Sequence, residues 1–174
     1  MNSVDLHPVL VHFPVALLTV YAVVELARFR ALTSRPSRVE LKGALAVFGF
    51  LGSVAAFLAG TVRKEALESV GAVDRLIETH STFALATVVV AGVIAAAHAM
   101  RLLKGPLLKA APSSAWARAP IMVADALLSP VPSALLALLV LALVTVTGGL
   151  GGAIVYGPDV DPFVRTITAL LGLR

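Results

Sequence analysis

Four long apolar stretches, at 9–29, 44–62, 81–100 and 134–156, constrain this chain more than any other feature. Each has 19–23 residues, and a helix of that length, rising about 1.5 Å per residue, crosses a hydrocarbon core of about 30 Å. Composition agrees. The chain of 174 residues is 59% hydrophobic and 14% charged, with a mean hydropathy of +0.95, whereas a soluble domain is about 45–50% apolar and about 25% charged. One core of this size cannot hide that much apolar side chain from water, so the remainder faces lipid. The sequence therefore predicts an all-α fold, an integral membrane four-helix bundle forming a single domain over 1–174. The opening residues, MNSVDLHP, carry no basic cluster, and no small-residue cleavage site follows the first stretch, so a removable signal peptide is not expected.

Charge sets an expected orientation. Arg28, Arg30, Arg35, Arg38 and Lys42 lie between the first and second stretches, and Arg101, Lys104, Lys109 and Arg118 between the third and fourth. The other side carries Arg63, Lys64, Arg75, Arg165 and Arg174 together with Asp5, Glu65, Glu68, Asp74, Glu78, Asp159 and Asp161. Basic loops stay cytoplasmic, which puts both termini outside. The same rule accounts for the net charge of +4 without invoking nucleic acid, which is not expected as a partner. Residues 116–131, bounded and interrupted by Pro112, Pro120, Pro130 and Pro132, read as an interfacial segment, and 162–173 as an amphipathic surface helix.

The chain also repeats itself. HFPVALLTV at 12–20 and HSTFALATV at 80–88 share His, Ala, Leu, Thr and Val at an offset of 68. Each repeat unit continues into a helix rich in small residues: Gly49, Gly52, Ala56 and Gly60 in the second stretch, Thr147, Gly148, Gly149, Gly151 and Gly152 in the fourth. This pattern predicts two parallel-repeat helical hairpins about an axis along the membrane normal.

Ionisable groups within a membrane are costly, which directs attention to His12, Glu25, His80 and His98. The repeat places His12 and His80 at similar depth near the outer face, and two imidazoles meeting across a bundle could ligate a haem iron. Gly148 and Gly152 could then let a flat macrocycle approach the backbone, although a GxxxG pattern also serves close helix packing. The competing structural reading is two histidines bonded to water or backbone. His98 lies five turns beyond His80, about 27 Å along the axis, and is expected to make an interface hydrogen bond or pair with Glu25. Glu25 is also placed to pair with Arg28, three residues on. A zinc site built from His7, His12 and His80 is disfavoured, because His7 and His12 diverge by about 140° around a helix. No cysteine is present, which excludes disulfides, thiolate metal sites and iron–sulfur clusters. No nucleophile–base pair, phosphate loop or carboxylate dyad stands out, so no independent enzymatic activity is expected.

HPVLVHFPVALL at 7–18, AAFLAGTV in the second stretch, the His80 start of the third and TGGLGGAIVYG in the fourth resemble the domain of unknown function 2231 family. The resemblance implies a bacterial four-helix protein of the cytoplasmic membrane and carries no established activity. Members often have a further histidine shortly after the tyrosine of the last motif, where this chain has Gly157, Pro158 and Asp159. The expected function is that of a haem b-binding electron-transfer or membrane-anchor subunit, with His12 and His80 as ligands, in contact with lipid and with other membrane or redox subunits. The alternative is a cofactor-free interaction or assembly subunit packing through its small-residue faces. Transport is disfavoured because four helices with so few ionisable groups line no polar path.

Overall fold

The computed structural model describes residues 7–27, 37–68, 74–111 and 114–173. Among these residues the secondary structure is helical, without strands. A short helix, α1 (His7–Leu10), runs through a turn at Val11 into α2 (His12–Ala27). Pro8 is tolerated because the first turn of a helix needs no N–H from it. Pro14 has no N–H for the carbonyl of Leu10, and the chain eases at Val11 while its neighbours keep the ladder, Val11 N–H to His7 at 3.1 Å and Val15 N–H to Val11 at 3.3 Å.

The next two helices outrun the apolar stretches that predict them. α3 covers Ser37–Glu68 and α4 covers Arg75–Ala110. A helix of 36 residues is about 54 Å long and must project well beyond a hydrocarbon core. Asp74 caps α4, accepting the backbone N–H of Leu76 and Ile77, each at 3.0 Å. The expected interfacial segment forms α5 (Ala115–Leu127) despite Pro120; it packs on α4, and Lys104 joins Asp125 across that contact at 2.6 Å. After a tight turn, Pro130 opens α6 (Pro130–Tyr156), which stops at Gly157, where φ is +95°. α7 (Pro162–Leu170) is capped by Asp161 and lays Val164, Ile167 and Thr168 against the end of α6.

The span α1–α2, together with α3, α4 and α6, forms a closed ring in which consecutive helices touch and α6 returns to α2. The first and third spans are therefore diagonal, as are the second and fourth. This adjacency is unchanged when the two hairpins are exchanged, a requirement of the parallel repeat. The ring encloses Leu18, Tyr21, Ala22, Ala46, Ala91, Ile94, Ala137, Val140 and Val144. Large apolar side chains such as Phe13, Val20, Phe48, Leu58, Val89 and Leu138 point outwards, an arrangement suited to lipid and unsuited to water.

Candidate functional site

Where α1, the end of α3, the start of α4 and the end of α6 converge, the bundle opens into a cavity of about 380 Å³. Its walls include Val11, Val15, Phe57, Ala84 and Ile154, with Gly60, Gly148, Gly151 and Gly152 exposing backbone. Below it lies a smaller apolar cavity of about 70 Å³ reaching down to Ser53, Thr87 and Val144. His7 and His80 line both cavities.

The rings of His7 and His80 stand 6.4 Å apart between centroids and nearly perpendicular, at 86°. Each is held by a carbonyl on a neighbouring span. His7 donates through Nδ1 to the carbonyl of Ala56 at 2.9 Å, and His80 through Nδ1 to the carbonyl of Thr147 at 3.1 Å. A neutral imidazole donating from Nδ1 carries its lone pair on Nε2, the tautomer that a backbone carbonyl fixes in histidines serving as metal ligands. Glycines make room for both rings. A Cβ at Gly60 would come within 3.0 Å of the His7 ring, and one at Gly151 within 3.4 Å of His80. Beneath them Thr87 and Thr147 share a hydroxyl hydrogen bond of 3.2 Å.

The ring that meets His80 is thus His7, in place of the expected His12. His12 is exposed on the rim of the larger cavity, where its Nδ1 donates to the carbonyl of Pro8, one turn back, at 2.6 Å. The five-residue interval allows only one of the two histidines to face inwards, and the helix beginning at His7 turns that residue in. The interior face of α2 is correspondingly Pro14, Leu18, Tyr21, Ala22 and Glu25, while Ala16, on the side of His12, is exposed. The signal for His7 is its place in the HPVLVHFP motif, about 140° around the helix from His12 and so on the other face of the span.

The glycines divide their work. Gly148 meets nothing within 4 Å and faces the open cavity, whereas Gly152 lies under Val164, and a Cβ at Gly149 would come 2.6 Å from Ile167. The flat approach to this backbone is made in part by α7 itself.

A second polar cluster lies at the opposite end. Glu25 on α2 pairs with Lys42 on α3 at 2.5 Å and accepts from the hydroxyl of Ser133 on α6 at 2.8 Å. Beside it, the hydroxyl of Tyr21 and Nε2 of His98 on α4 share a hydrogen bond of 3.3 Å, with the rings perpendicular. His98 is only 2% exposed, and its Nδ1 has no hydrogen-bond partner. His98 makes the interface hydrogen bond expected of it, with Tyr21; the expected partner of Glu25, Arg28, lies outside the described residues.

A family of predicted membrane proteins, DUF2231, matches residues 3–161. The chain belongs to that family. No curated protein and no solved structure matches it. Membership in DUF2231 and four helices long and apolar enough to span a bilayer make this an integral membrane protein.

Proposed function

We propose that this DUF2231 protein binds a prosthetic group or other small ligand in the cavity beside His7 and His80, and that the group best matched to the paired imidazoles is a b-type haem. The observation carrying the reading is the perpendicular ring pair 6.4 Å apart, each ring held through Nδ1 by a backbone carbonyl. Among the described residues no group of three or more His, Cys, Asp or Glu could hold a metal ion unaided. A haem iron brings four ligands in its porphyrin and asks the protein for only two. The larger cavity, about 380 Å³, falls within the range of about 300–1,000 Å³ typical of ligand sites. When bound, the group would supply one-electron chemistry; the chain's part would be to hold and orient it.

In this reading His7 and His80 would hold the group, with His12 at the rim. Reduced-minus-oxidised spectra of the detergent-purified protein, expressed with ample haem, test it. A sharp reduced α-band lost in His7→Ala and His80→Ala but kept in His12→Ala and His98→Leu is expected; a wild-type protein without a Soret band sinks the haem reading. The interaction-subunit alternative is less well served. Gly43, Gly49, Gly52, Gly60, Gly92 and Gly149 lie against side chains of this same chain, so those small-residue contacts are already made internally.

The basic residues favour an inner membrane protein of bacteria with both termini outside, the cavity and α7 at the outer face, and α5 at the inner one. Single cysteines at Ser37 and Ser69 test this orientation. An impermeant thiol reagent applied to intact cells should label the second and spare the first, and the reverse pattern overturns it.

A further inference from the structure

The larger cavity carries two cations at its mouth that the imidazole pair does not explain. Arg63 and Lys64 line its mouth at the end of α3, and among the described residues lining it no aspartate or glutamate appears. Its depth is apolar, with Val11, Phe57 and Ala84 on the walls. Lys64 reaches Glu68 at 3.7 Å, but Glu68 is half exposed and points along the helix, outside the cavity lining. Loose surface pairs of this kind are weakly held and yield to a better-placed anion. Cations above an apolar pocket match a molecule with an apolar body and an acidic end, because a charged head at such a rim keeps its hydration while gaining a partner.

We propose that the ligand of this cavity is a carboxylate-bearing amphiphile whose acid group or groups lie on Arg63 and Lys64 while its apolar body descends towards His7 and His80. The inference rests on the cavity reading above and adds the chemical class and orientation of what fills it. Two sources share this chemistry: the propionates of a haem, and the head of a fatty acid drawn from the surrounding lipid. In the first case the cations fix which edge of the macrocycle faces out. In the second the imidazoles are a polar floor beneath an acyl chain.

The test uses the full chain in nanodiscs, wild type against Arg63→Gln/Lys64→Gln, with Arg165→Gln as a control because Arg165 lies on α7 outside the cavity lining. Haem b and its dimethyl ester are titrated by Soret absorbance, and dodecanoic acid and its methyl ester by calorimetry. The expected result is an acid that binds at least about tenfold more tightly than its ester, with this preference lost in the double variant and kept in the control. The preference appearing with haem identifies the propionate source, and its appearance with dodecanoic acid alone identifies the lipid source while removing the haem reading. If haem binds wild type and double variant equally, in acid and ester form alike, the haem reading stands and this inference falls. If no ligand shows an acid preference dependent on Arg63 and Lys64, the inference falls outright.

Discussion

The two ends of the bundle use the same residue types to opposite effect. At one end Glu25, Lys42 and Ser133 bond side chain to side chain across three spans, and Tyr21 bonds to His98 on the remaining span, α4. At the other, His7 and His80 turn to backbone carbonyls, glycines stand behind them, and a cavity of about 380 Å³ remains. His80 and His98 lie on one helix, 18 residues apart, so residue identity alone does not decide what a histidine does here. The partner decides. A histidine answered by a side chain becomes part of a seal, whereas one oriented by a carbonyl is set in place and can present its other nitrogen to a ligand.

If the end bonded side chain to side chain is a seal, it should be the more sensitive to losing one partner. The largest effect is expected for Lys42→Met, which takes away the cation 2.5 Å from the carboxylate of Glu25, a residue only 7% exposed. Removing one member of a buried pair costs about 3–5 kcal/mol, and replacing both is far milder. Denaturant titration in micelles should therefore find Glu25→Gln/Lys42→Met more stable than Lys42→Met alone. Equal stability of the two variants would mean that the pair is wetter than its burial indicates.

Next in size comes Tyr21→Phe, which leaves His98 with neither ring nitrogen bonded to Tyr21 in an interior that already holds one unpartnered atom, Nδ1. The expected loss is about 1–3 kcal/mol, the usual penalty for a buried polar group left unsatisfied. Adding His98→Leu should recover part of it. A Tyr21→Phe variant as stable as wild type breaks the picture of a seal in which these two side chains depend on each other.

The spans were legible because an apolar run of sufficient length has few alternatives in a membrane protein. Helix ends were less so: Ser37–Lys42 and Arg63–Glu68 continue α3 past its apolar window, since backbone bonding goes on after lipid contact stops. The identity of the histidine facing His80 depended on rotation, which hydropathy does not encode. It follows from the helix beginning at His7 and from which carbonyl, Ala56 or Pro8, each ring can reach. Lys42 as the partner of Glu25 was equally hidden, because adjacency of α2 and α3 at that level is a property of the ring of helices.

Glycine substitutions separate packing from cavity within the same residue type. A Cβ at Gly49 would come 2.6 Å from Cδ2 and 3.0 Å from Cγ of Leu18, which is fully buried. Gly49→Ala should then cost about 1–3 kcal/mol through overpacking. Gly148→Ala meets nothing within 4 Å, and its stability should stay within about 0.5 kcal/mol of wild type. Thermal unfolding of both variants checks the contrast, and a similar loss at Gly148 shows that α6 packs against something at its open face.

The smallest effect is expected at His12. Its ring is exposed, and its hydrogen bond goes to Pro8 in the preceding turn of the same span, so removal breaks no hydrogen bond from one span to another. His12→Ala should change stability by less than about 0.5 kcal/mol. His7→Ala removes a bond to α3 as well as the ring facing His80, with an expected loss of about 1 kcal/mol. The two residues lie in one motif, five positions apart, which makes the comparison a direct test of which face of the first span the cavity uses. Were His12→Ala the more damaging variant, the first span would be rotated by more than a quarter turn, and the partner of His80 would have to be sought again.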